Sequence, residues 1–173
     1  MLFRSTDPAY AEAARRRIAG ERRQVQVAVR AGDGRATDPF VGGWAAKDLA
    51  IAMLGEAGFT EVHDDRKVVT GVEPSLSAID RRGRRWWFEV VGGRTSNRPG
   101  AHRIELLWRA IAKGAVAHEA DPQARFGVLS VGLPTAATGG AALAAVTGPK
   151  GPVHVVVDLL DDDAIEQLRR VAR

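Results

Sequence analysis

The chain has 173 residues, 45% of them hydrophobic, a size and composition that suit one domain with one buried core. Cysteine is absent, which excludes a disulfide framework, a thiolate metal site and a cysteine nucleophile, so any metal would be held by oxygen or histidine. The formal charge of +4 and pI near 10.1 favour polyanionic partners and say nothing of fold.

In chain order, Asp7 followed by Pro8 predicts a helix running to about Ala19, and Gly20 stops or bends it. Gln24 to Arg30 alternates valine with polar residues and fits either a short strand or more helix. A Gly- and Asp-rich loop leads to a second helix carrying Trp44, Leu49, Ile51, Met53 and Leu54, which ends at Gly55 or Gly58 and turns into a strand near Phe59. Leu76 to Asp80 and Arg85 to Val91 read as two strands of a hairpin whose turn contains Gly83.

Ala101 to His118 carries Ile104, Leu107, Trp108, Ile111 and Ala115 at helical spacing and predicts a long amphipathic helix. Arg125 to Leu133 is an apolar run expected of a buried strand, Gly140 to Val146 a short helix, Val153 to Leu160 a second buried strand and Asp161 to Arg173 a terminal helix. The order predicts an α/β fold with a mixed central sheet flanked by helices. Residues 1–40 form an N-terminal helix and basic extension, and 41–173 the α/β domain, within one domain overall.

Arginine gathers at Arg15, Arg16, Arg17, Arg22 and Arg23, again at Arg81, Arg82, Arg84 and Arg85, and again at Arg94, Arg98, Arg103 and Arg109. Each run alone is most simply a solvated face, while the three together tilt the expectation towards nucleic acid. Residues 1–10 hold no apolar run of signal-peptide length and no stretch approaches a membrane span, so the expected location is the cytoplasm and no membrane partner is expected. Neither glycine-rich stretch makes a phosphate loop, and a Gly-Xaa-Ser-Xaa-Gly elbow is absent. His63, His118 and His154 have no spacing suited to a metal triad, and Trp86, Trp87 and Trp108 are core by default.

The hairpin segment VEPSLSAIDRRGRRWWFEVVGG resembles the core of the PD-(D/E)XK, or restriction-endonuclease-like, nuclease superfamily, and the resemblance extends from the Trp44 helix to the Leu133 strand. In that superfamily a Pro-Asp opens one strand and the next supplies an acidic residue, a variable residue and lysine. Two carboxylates converge on Mg²⁺, which activates water at the scissile phosphate while the lysine orients that water. Pro74 matches the proline, Ser75 stands at the aspartate, Glu89 matches the acidic residue and Val91 stands at the lysine.

The resemblance implies Glu73 and Glu89 as metal ligands, with Asp64, Asp65 and Asp80 as further nearby carboxylates. It implies Lys113 or Arg94 in place of the lysine, and arginine is too weak an acid to serve as a base. Arg94, Ser96, Asn97, Arg98 and Arg103, beside the start of a helix, form an expected phosphate-contacting surface. Glu105 reads as a third ligand or, more simply, as the partner of Arg109 one turn on. Glu89 is the only charge between Trp86 and Val91, so it is either part of such a site or a residue on a solvated strand face.

The implied function is a DNA-interacting, nuclease-like protein hydrolysing phosphodiesters with Mg²⁺ through Glu73, Glu89 and Lys113. The alternatives are a catalytically silent relative that binds nucleic acid or a partner protein, and an interaction protein with no nucleic-acid role. DNA is the expected partner, and a homodimer is the arrangement that cutting both strands would favour.

Overall fold

The computed structural model describes residues 39–64, 71–91, 104–135 and 139–173, with isolated helical positions between 12 and 20. The expected strand or helix over Gln24 to Arg30 and the loop donors between Arg94 and Arg103 lie outside the described residues.

Helix α1 (Pro39–Ala57) leads into strand β1 (Thr60–His63), followed by β2 (Leu76–Ile79), β3 (Arg85–Val91), α2 (Ile104–Ala120), β4 (Arg125–Ser130), α3 (Gly140–Val146), β5 (Val155–Asp158) and α4 (Ala164–Ala172). The five strands form one open sheet in the order β1-β2-β3-β4-β5. The first three run as an antiparallel meander, and β4 and β5 continue the sheet parallel to β3. The sheet is therefore mixed and flanked by helices, as the element order predicts. Among the described residues no helix is long and apolar enough to cross a membrane.

Period two along β3 divides the core. Trp86, Phe88 and Val90 face α1 and α4, which supply Ala46, Leu49, Ala50, Met53 and Leu54 and Ala164, Leu168 and Ala172 respectively. Phe59 sets its ring edge-on to Trp86 and Phe88, with centroids at 5.8 and 5.5 Å. Trp87 and Val91 face the other way, against Ala110 and Ala117 of α2 and Phe126 and Val128 of β4.

The buried stripe of α2 is not the one its large apolar residues suggest. Leu107, Ala110, Gly114 and Ala117 face the sheet, while Trp108 is 50% exposed and Ala115 is exposed. Close approach selects the small residues: a Cβ on Gly114 would stand 3.1 Å from Phe126, from Val153 and from the Pro152 carbonyl. Two further expectations need correction. Among the described residues β5 is the last strand of the sheet, and only part of the expected buried run is buried: Val157 and Leu159 are, while Val155 and Val156 are half-buried. Trp108 is not core.

The helix end and the hairpin turn lock together. Gly58 closes α1 with φ 100°, and both its amide and that of Phe59 donate back to the Leu54 carbonyl. The Arg81 guanidinium lies against Gly58, where a Cβ would come within 2.4 Å of it. Gly58→Ala should therefore cost about 1–3 kcal/mol through left-handed strain and displacement of Arg81. A shift of the urea midpoint by less than the measurement error would contradict that packing.

Candidate functional site: a closed carboxylate under helix α2

The hairpin register decides which side chains meet. Leu76 pairs with Phe88 and Ser77 with Trp87, so one step further along Ser75 stands opposite Glu89. Glu89 shares its face with Trp87 and Val91 and lies under α2, only 8% exposed. It is not on a solvated strand face.

A buried carboxylate needs partners, and Glu89 has them. The Lys113 ammonium, reaching back from α2, donates to both carboxylate oxygens at 2.8 and 2.7 Å. It gives its remaining proton to the Glu73 main-chain carbonyl at 2.7 Å. The Ser75 hydroxyl donates to Glu89 Oε2 at 3.1 Å. All three ammonium protons thus meet oxygen, and the side chains of Lys113 and Glu89 retain only 23% and 11% of their exposure.

Glu73, Ser75, Glu89 and Lys113 thus come together, although Glu73 contributes its backbone oxygen and its side chain is exposed. Asp64 and Glu105 take no part in this cluster. Asp64 pairs with Lys47 at 2.6 Å, and Glu105 lies exposed in the first turn of α2. Asp65 lies outside the described residues.

Asp80 is the structural centre of the turn. It accepts hydrogen bonds from the Arg82 and Arg84 amides, the Arg84 guanidinium and the Trp86 indole at 2.7–3.0 Å. Burial pushes its carboxyl up, but these donors outweigh burial and hold it below the ordinary carboxylate range.

Mg²⁺ wants an octahedron of oxygens with more than one negative charge nearby. The oxygens around Lys113 are of the right kind, but they carry the single charge of Glu89, and the ammonium already sits among them. Among the described residues no group of three or more His, Asp or Glu side chains could hold a metal. With Lys113 in place the donor set does not fit Mg²⁺.

The arginines divide between structure and surface. Arg81 donates to the Ala57 carbonyl, Arg84 to Asp80, Arg125 to the Pro149 carbonyl and Arg169 to Glu56. Arg15, Arg16, Arg82, Arg85, Arg109 and Arg170 are exposed. Arg94, Arg98 and Arg103, with Ser96 and Asn97, lie outside the described residues, as do Arg17, Arg22 and Arg23.

Sequence spacing gave no sign that His118 and His154 would meet. Their ring centroids lie 6.2 Å apart, and the buried atoms His118 Nδ1 and His154 Nε2 have no hydrogen-bond partner among the described residues. His154 Nδ1 accepts the Phe126 amide at 3.1 Å, so its proton sits on Nε2 and no lone pair is left there for a metal. Burial, followed by the charges of Arg125 and His118, lowers its pKa to about 4.

Since His154 is depressed below its unfolded value of about 6.5, its contribution to stability is complete above that pH and is lost as pH falls towards 4. After allowance for screening, the fold should lose about 1–3 kcal/mol over that window. His154→Gln should flatten this part of the stability-pH curve measured by thermal melting. An unchanged slope would show that other groups carry it.

Comparison with family models, with curated proteins and with solved structures gives no match.

Proposed function

We propose that this protein is a nuclease-like domain that interacts with DNA and that its acidic site, closed by Lys113, does not cleave it. The saturated ammonium carries this reading: a lysine whose three protons are held by three oxygens is neither poised to take a proton from water nor out of the way of a cation. The likeness of the hairpin to the PD-(D/E)XK signature supports the nuclease-like part. So does the helix that delivers Lys113 onto Glu89 across 24 residues of sequence, where the strand itself carries valine at position 91.

DNA as the partner rests on charge. The chain carries +4, and Arg82, Arg85 and Arg109 stay exposed, while the buried carboxylate is neutralised and does not repel phosphate. Fluorescence anisotropy with duplex and single-stranded oligonucleotides tests it. Affinity should fall at least about tenfold between roughly 50 and 200 mM salt, because phosphate contacts release counterions. Binding that ignores salt, or no binding at low salt, would leave a protein-interaction domain instead.

Metal-dependent phosphodiester hydrolysis is the second reading. The observation favouring it is that the Glu89 carboxylate on β3 and the Glu73 carbonyl just ahead of β2 converge on the Lys113 ammonium, two oxygen donors that would face a cation if Lys113 swung away.

A further inference from the structure

We infer that the end of the molecule built from the β2/β3 turn and the last turn of α4 is a docking surface for the phosphate backbone of duplex DNA. The inference rests on the DNA reading above. It places the contact at the opposite end of β3 from Val91, beyond which the expected phosphate-contacting loop begins.

This end is held firmly, and its charges are left over. The Arg81 amide donates to the Ala172 carbonyl at 3.0 Å, which ties the turn to the end of α4, and the Arg81 guanidinium rests on the Ala57 carbonyl at the end of α1. Within the turn, Asp80 is buried and paired with Arg84, while Glu56 and Glu166 both pair with Arg169. Arg82, Arg85 and Arg170 are exposed, and among the described residues neither they nor Arg81 pairs with a carboxylate. Glu61, one residue past the Thr60–Ile79 pair on β1, is an exposed carboxylate on the adjacent strand. Four guanidiniums from two elements therefore keep their full charge on a scaffold that Asp80 and Gly58 hold in shape.

A guanidinium offers a phosphate both charge and a fork of donors. Single strands are gripped in addition by bases stacked on exposed rings. The rings at this end, Phe59 and Trp86, are buried, and the Trp86 indole is bonded to Asp80. Among the described residues the exposed large hydrophobics are Trp108 and Val116, both on α2. Charge without a stacking ring suits a duplex, whose backbone has the denser charge. Glu89 lies four residues along β3 from Arg85, about 13 Å at the rise of a strand, and takes no part in the contact.

Fluorescence anisotropy over a range of salt, with a duplex and a single strand of equal length, tests this in three proteins. These are the wild type, Arg82→Ala combined with Arg170→Ala, and Ala112→Glu combined with Ala115→Glu, which lowers the net charge by the same amount on the exposed face of α2. Neither arginine side chain holds another residue among the described ones, and near-ultraviolet circular dichroism checks that both variants keep the wild-type fold. The arginine variant should bind the duplex at least about tenfold more weakly near 100 mM salt, with a salt slope shallower by about one to two. The glutamate variant should stay within about threefold of wild type, and wild type should prefer the duplex. Wild-type affinity in the arginine variant, an equal loss in the glutamate variant, or a preference for the single strand would overturn the inference while leaving DNA as the partner. No binding by the wild type would remove the DNA reading and this surface with it.

Discussion

Lys113→Ala should destabilise the fold by about 3 kcal/mol, because it leaves the Glu89 carboxylate buried with, among the described residues, only the Ser75 hydroxyl as a partner. The asymmetry of buried pairs makes the prediction specific. Breaking a pair strands a charge, whereas replacing both members with uncharged groups of similar shape costs little. Glu89→Gln combined with Lys113→Met should therefore lie within about 1 kcal/mol of wild type, less destabilised than the sum of the single changes. Urea denaturation of the four proteins gives the coupling energy directly. Additive single changes would mean that the ion pair is not formed in solution.

Asp80→Ala should be comparably damaging, at about 3 kcal/mol, for a different reason. One buried carboxylate satisfies two amides of the turn, a guanidinium and the buried Trp86 indole, so its removal strands several donors at once. The folded pKa of Asp80 is depressed, so its contribution is present above the unfolded carboxylate value and is lost as the pH falls through the folded one. Wild-type stability should then fall again in acid, below the window set by His154, and Asp80→Asn should lose that second decline. A wild-type curve that is level through the carboxylate range would contradict the role of Asp80.

The hairpin was legible because its signals are local. Strand alternation, Gly83 in the turn and a charge isolated between Trp86 and Val91 all lie within 16 residues, and β2 and β3 form where they predict. The Glu89–Lys113 meeting, 24 residues apart, was accessible only as one of two candidates, since the family signature admits a displaced lysine and the helix could offer it. What sequence hid is governed by packing. Hydrophobicity favours Trp108 as a core residue of α2, yet close approach to Phe126 and Val153 gives the buried stripe to Ala110, Gly114 and Ala117. Asp80 reads as a spare acidic ligand until the turn closes around it, because its donors include backbone amides that no composition reveals. Glu73 was expected to offer its carboxylate and instead offers a carbonyl, an atom every residue possesses. His118 and His154 meet only because β4 and β5 run parallel beneath the end of α2.

The most direct test is cleavage of plasmid and oligonucleotide DNA in Mg²⁺ or Mn²⁺ by wild type and Glu89→Ala, with retention measured on the same samples at low salt. Retention without cleavage by the wild type is the predicted result. Metal-dependent cleavage that disappears in Glu89→Ala would contradict it, and would mean that Lys113 yields its place to a metal and that the closed site is the resting state of a working nuclease.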